Sequence, residues 1–183
     1  MLDAHSSIAS FINALAERTP TPGGGATASL AAALAVAQAQ MVVRFSVGRK
    51  ASTPESDATL SLVLNTLTHA QAILLGLMAE DQEAYEAYRA TRSPESVARC
   101  LLIPQSVLAS VVASAAAMAR VSALLNPNLQ ADRIVTARLL IAAAHGAAAL
   151  VAANLEGSAA HLEIASQTSL QVRRVESILQ PLL

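Results

Sequence analysis

The sequence predicts an all-α protein, a multihelical array of about seven helices around a buried, alanine-rich central helix, in a single domain over residues 1–183. Three observations carry this. No segment sustains the alternation of a strand, and no strand-like hairpin turn occurs. Apolar residues make up 54% of the chain but aromatic ones only 2%, so the core must come from Ala, Leu, Val and Ile, which fill closely spaced helices well. From Ala26 to about Val47 the only polar side chains are Thr27, Ser29, Gln38, Gln40, Arg44 and Ser46; a helix apolar on nearly every side needs protein around it.

The first helix is expected from Asp3 to about Glu17, with Ile8, Phe11, Ile12 and Leu15 on one face and Asp3, Ser6 or Ser7 as its cap. Thr19-Pro20-Thr21-Pro22 makes an extended approach and Gly23-Gly24-Gly25 a turn into the central helix, which Gly48 helps to end. Thr53-Pro54-Glu55 is a start signal: a cap, a proline at the first helical position and an acid beside it. The helix it opens runs to about Arg92 with Leu60, Leu64, Leu67, Leu74, Leu75 and Met78 as its apolar face. Beyond Met78 it turns acidic through Glu80, Asp81, Glu83 and Glu86, so its far half reaches the surface or a cleft. Gly76 within it is either a penalty of about 1 kcal/mol or a point of close crossing. Ser93-Pro94-Glu95 repeats the start signal for a short helix ending near Pro104, and a further helix covers Gln105 to Leu125. Asn126-Pro127-Asn128 is a turn, Asp132 caps a helix over Arg133 to Leu155, Glu156-Gly157-Ser158 breaks it, and a last amphipathic helix runs from Ala159 to about Leu179.

Charge and composition bound the function. A formal net charge of −1 gives no electrostatic case for nucleic acid. Charged residues are 14%, low for a monomer's surface, which points to a homo-oligomer. Cys100 is the single cysteine, so neither an intrachain disulfide nor a cysteine metal site is expected, and the four histidines show no metal spacing. The start, with Asp3 and His5 and no basic leader, predicts a cytoplasmic protein. The Ala26 to Val43 run invites a membrane-spanning reading, but it is short, alanine-rich and holds two glutamines; a buried helix without membrane insertion is expected.

Several residues are chemically suggestive. Pro22-Gly23-Gly24-Gly25 lacks the ending of a phosphate loop and follows no strand; from the pattern alone it either binds a carboxylate or phosphate through backbone N–H groups or lets the chain pass close to another helix. Lys50 is the one lysine in the chain, and it suits a dipole partner at a helix end, a general acid or a carboxylate ligand; Arg49 competes for the last role. Asp81 follows a strongly apolar stretch, where partial burial would raise its pKa, or it is an ordinary surface acid. Asp132 reads first as a helix cap, and Asn154 as a polar contact needing a partner if buried. His69, His145 and His161 read as structural or exposed.

Phe11 to Leu15, Thr21-Pro22-Gly23-Gly24-Gly25 with its alanine-rich helix, Val47-Gly48-Arg49-Lys50, Asp81-Gln82-Glu83-Ala84-Tyr85, Pro104, Asn126 to Asp132 and Ala149 to Leu155 together resemble the formiminotetrahydrofolate cyclodeaminase and methenyltetrahydrofolate cyclohydrolase family. The resemblance implies an all-helical homodimeric enzyme acting on a tetrahydrofolate derivative, with no metal or prosthetic group. It implies Lys50 and Asp81 as the catalytic pair, and Thr21, Gly23, Gly24, Gly25, Arg49, Asn126, Asp132 and Asn154 as substrate contacts. The cyclohydrolase, which adds water to 5,10-methenyltetrahydrofolate to give 10-formyltetrahydrofolate, is the first expectation, because no transferase segment stands beside the motifs. The cyclodeaminase, which releases ammonia from 5-formiminotetrahydrofolate, is the second. A non-catalytic folate-binding or structural dimer is the third.

Overall fold

The computed structural model describes residues 5–155 and 161–183. Among them are six α-helices and no strand: α1 (Ile8–Ala16), α2 (Gly24–Arg44), α3 (Pro54–Thr91), α4 (Pro94–Arg120), α5 (Gln130–Asn154) and α6 (His161–Leu179), with short 3-10 turns at Ser122–Leu124, Pro127–Leu129 and Gln180–Leu182. The expected break at 156–158 and the cap at Asp3 lie outside the described residues.

The local signals act as chemistry requires. Ser7 caps α1 by accepting from the Ser10 N–H at 3.0 Å. Thr53 and Ser56 form a reciprocal capping box at the start of α3, with Pro54 at its first position. Ser93 caps α4 in the same way as Ser7 caps α1. Gly48 follows α2 at φ 68, a left-handed conformation that side chains rarely adopt, and its N–H donates to Asp57.

α2 packs against α3, α4 and α5, and α4 and α5 also pack on each other and on α6. Twelve residues of α2 are buried, half of them alanines. Small side chains let the helices approach closely: a Cβ added at Gly146 of α5 would stand 3.7 Å from that of Ala28 on α2. The core is correspondingly aliphatic, with Leu60, Leu67, Leu74, Leu108, Leu140 and Met118 fully buried. Four helices, α2 to α5, are long and apolar enough to cross a membrane by length and composition; the most apolar window of α2 is 61% buried within the chain.

Three expectations need correction. The two helices expected on either side of Pro104 are one, α4, with Pro104 inside it, so the described residues hold six helices where about seven were expected. A proline there cannot donate to the carbonyl of Cys100 four residues earlier. That carbonyl accepts instead from Asn154 Nδ2 at 2.7 Å, so the lost helical bond is replaced from α5. Asp132 is not a cap: α5 begins at Gln130, and Asp132 lies in its first turn, accepting from Gln38 of α2 at 2.7 Å. Gly76 makes no close crossing; the nearest atom to an added Cβ is Glu80 Oε1 of its own helix, 3.8 Å away.

Candidate active site

The glycine turn delivers the chain into α2 without a side chain to cap it. Gly23 is the N-cap residue, and Thr27 closes the first turn by donating to the Gly23 carbonyl through both its N–H and its hydroxyl. The N–H groups of a first helical turn have no intrahelical partner. Here the Asp81 carboxylate of α3 supplies one, accepting from the Ala26 N–H at 2.9 Å. An acid from a different helix therefore caps α2, and the partial positive charge of the helix start faces it.

The approach is close because Gly25 has no Cβ. A Cβ built there would lie 1.9 Å from Asp81 Oδ1, 2.3 Å from Cγ and 2.6 Å from Oδ2. The glycines are thus needed in graded fashion. At Gly24 an added Cβ meets the end of the Leu150 side chain at 3.1 Å, and at Gly23 nothing lies nearer than the Pro20 carbonyl at 3.7 Å. Of the two readings the pattern left open, close passage is realised at Gly25, and the anion held at the helix start is the protein's own Asp81.

Asp81 stands at the wall of a cavity of about 650 Å³, within the size range of small-molecule sites. Three helical faces and the glycine turn enclose it. α3 contributes Asp81, Tyr85 and Tyr88, spaced by four and three residues and so on one face; α4 contributes Val97 and Cys100; α5 contributes Leu150, Ala153 and Asn154. Burial pushes the Asp81 carboxyl above the ordinary aspartate range, against the opposing hydrogen bond from Ala26. Burial likewise raises the Cys100 thiol, the nearby Asp81 charge adds to this, and Arg99 opposes it. A carboxyl whose pKa burial raises, beside a pocket of small-molecule size, is suited to proton transfer.

The family model for formiminotransferase-cyclodeaminase matches residues 7–172. The chain belongs to the formiminotransferase-cyclodeaminase family. Among curated relatives of this family, a methenyltetrahydrofolate cyclohydrolase from Methylorubrum extorquens is 35% identical over 83 residues, 45% of this chain and 39% of that protein. A formimidoyltransferase-cyclodeaminase from Sus scrofa is 32% identical over 131 residues, 69% of this chain and 24% of that protein. The alignments therefore span well under half the length of either relative. The crystal structure of a formiminotetrahydrofolate cyclodeaminase from Thermotoga maritima superposes with a TM-score of 0.85 over 97% of both chains at 24% identity, which shows a shared fold.

The structure brings together only part of the residue set expected for this family. Thr21, Gly23, Gly24, Gly25, Asp81 and Asn154 line the one cavity. Lys50, Arg49, Asn126 and Asp132 do not. Lys50 is exposed and Arg49 half-buried in the turn after α2, where the Arg49 N–H donates to Ser52 Oγ. The 21 residues of α2 separate this turn from Asp81 by roughly 30 Å at the helical rise. Within one chain, therefore, Lys50 and Asp81 do not meet. Asn126 serves structure: its N–H donates to Ser46 Oγ at 2.8 Å and its side chain to the Phe45 carbonyl, tying the loop before α5 to the end of α2.

Tyr88, Cys100, Val97 and Leu150 were not foreseen as cavity residues. The signal for Tyr88 was present, since it falls seven residues after Asp81 and three after Tyr85, on the same helical face. Nothing local marked Val97 or Cys100, and Leu150 stood out only as part of the Ala149 to Leu155 segment; all three reach the site through the packing of α4 and α5.

Proposed function

We propose that this protein is an enzyme acting on a one-carbon derivative of tetrahydrofolate, with Asp81 as its general acid–base, and that its reaction is the cyclodeaminase reaction. The observation that carries the chemistry is the half-buried Asp81 carboxyl, fixed by the Ala26 N–H and facing the cavity. In this reaction N10 attacks the formimino carbon held on N5. The N10–H proton and one proton from solvent end on the departing nitrogen, ammonia leaves, and the positive charge remains on the methenyl bridge. One carboxyl that takes a proton from N10 and passes it to the leaving nitrogen serves both halves of the reaction. The charge that develops at the bridge is of opposite sign to ionised Asp81, which favours the cationic product and its transition state.

The cyclodeaminase comes first because the relative aligned over more of this chain and the structural neighbour both carry that name. The cyclohydrolase is the second reading, favoured by the 35% identical relative from Methylorubrum extorquens. There water adds to the bridge carbon, one of its protons ends on N5 as the C–N5 bond breaks, and the other is released to solvent. Asp81 would there take a proton from the attacking water and deliver one to N5.

A homodimer in the cytoplasm completes the proposal. Leu34 midway along α2, Phe45 just after it and Leu62 on α3 are half-exposed or more, leaving apolar surface for a second copy. A role for Lys50 in the reaction requires such a dimer, because only the partner's Lys50 could approach the cavity.

The test is to supply purified protein with 5-formiminotetrahydrofolate and with 5,10-methenyltetrahydrofolate, following ammonia release and methenyl absorbance. Ammonia release that disappears in Asp81→Asn supports the first reading. Methenyl hydrolysis without ammonia release replaces it with the second. Turnover retained in Asp81→Asn removes Asp81 from the mechanism.

A further inference from the structure

The chain has no tryptophan and two tyrosines, and both tyrosines line the cavity. Its two phenylalanines are elsewhere, Phe11 buried under α1 and Phe45 exposed after α2. A core built almost wholly from aliphatic side chains thus places two of its four aromatic rings in one recess. Tyr85 and Tyr88 are neighbours with ring centroids 6.3 Å apart and planes inclined by 41°. They lie four and seven residues beyond Asp81 on α3, roughly 6 and 10 Å along the helix axis.

The walls differ in character. Near Asp81 the lining is polar, with the backbone of the glycine turn and the Asn154 amide, the latter held by its bond to the Cys100 carbonyl. Further along α3 it is aromatic and aliphatic, with Tyr85, Tyr88 and Val97. Among the described residues no lysine, arginine or histidine lines the cavity. A site without a cation is poorly suited to an anionic ligand group, and the ionised Asp81 repels one. Open aromatic faces are well suited to a planar ring system, by stacking.

We propose that Tyr85 and Tyr88 are the ring-recognition residues of this cavity, that they stack on the planar pyrimidinone ring of the folate's bicyclic head, and that the cavity within one chain does not hold the carboxylate tail. This rests on the folate reading above and gives that site its polarity. The reacting nitrogen sits at Asp81, the fused rings extend from it along α3 over the two tyrosines, and the glutamate tail leaves toward the mouth. Ligand selection within one chain is then made on the head.

The experiment is calorimetric titration of the intact protein with three probes: 5-formyltetrahydrofolate, a tetrahydropterin lacking the tail, and p-aminobenzoylglutamate, which lacks the head. The expected result is binding of the first two and none of the third. Tyr85→Leu and Tyr88→Leu should each weaken the first two about 5–100-fold, the range of ring-stacking losses, while Tyr85→Phe and Tyr88→Phe stay close to wild type. The near-ultraviolet circular dichroism of the tyrosines should change on binding. Equal affinity in the leucine variants, or capture of the tail fragment without the head, overturns the proposal while leaving the folate reading intact. The comparison of head with tail needs only the wild-type protein, so a leucine variant that fails to fold does not remove the test. If no probe binds the folded protein, the folate reading is overturned and this proposal with it.

Discussion

Gly25→Ala is the most direct test of how the site is built. The added methyl carbon would fall within 1.9 to 2.6 Å of all three atoms of the Asp81 carboxylate group. Ordinary contact needs more than 3 Å, so the carboxylate must swing away by over an ångström, and its 2.9 Å bond to the Ala26 N–H breaks. A hydrogen bond to a charged group contributes about 1.5–3 kcal/mol, and a carboxylate at a helix start about 0.3–1 kcal/mol more. Replacing glycine by alanine in a helix returns up to about 1 kcal/mol. Because Asp81 is only half-buried, the net loss should fall in the lower part of the resulting range, about 1–2 kcal/mol. For a chain of this size that lowers Tm by about 2–8 °C, measurable by thermal unfolding followed at 222 nm. Loss of the positioned acid–base group should lower turnover about 10²–10⁴-fold. Gly24→Ala should cost less, because only the mobile end of Leu150 is in the way, and Gly23→Ala should be nearly silent. Equal behaviour of the three variants, or wild-type turnover in Gly25→Ala, would refute the view that Gly25 exists to admit Asp81.

Burial raises the Asp81 pKa, so its contribution to stability is fully present below the unfolded-state pKa and is lost as pH rises through the folded-state pKa. Asp81→Asn cannot undergo that loss, so the Tm of the variant minus that of wild type should grow from acid toward neutral pH; a difference that shrinks would contradict the assignment. The same shift places the acid limb of wild-type activity above the ordinary aspartate range, readable from the pH dependence of kcat/KM. Gly76→Ala, which fills open space within α3, should raise stability by up to about 1 kcal/mol without changing turnover, by the same thermal assay. If the partner's Lys50 serves the reaction, Lys50→Ala and Asp81→Asn should each be inactive, and their re-equilibrated mixture should recover about a quarter of wild-type activity, since half the dimers are mixed and each has one intact site. No recovery would confine Lys50 to the surface.

The sequence by itself determined the elements. Ser7, Thr53 and Ser93 start their helices because a hydroxyl there satisfies an otherwise unpaired N–H, and this depends only on neighbours three residues away. The alanine run of α2 and the glycine turn before it were legible for the same reason, as was Asp81 at the point where α3 loses its apolar character. The family, too, was legible, because its motifs are short and local.

Tertiary structure decided what those elements meet. Pro104 reads as a helix end because the rule counts only hydrogen bonds within the helix; α4 continues because Asn154, fifty-four residues away in sequence, takes over the Cys100 carbonyl. Asp132 reads as a cap until Gln38 of α2 is seen to claim its oxygen. The resemblance implies Lys50 and Asp81 as a pair, but only the packing of Asp81 against the start of α2 shows that, within one chain, the length of that helix lies between them. Gly25 reads as one of three interchangeable turn residues until α3 brings a carboxylate to within the volume of its missing Cβ. Each of these depends on a long-range contact between helices, and no local pattern encodes which helix faces will touch.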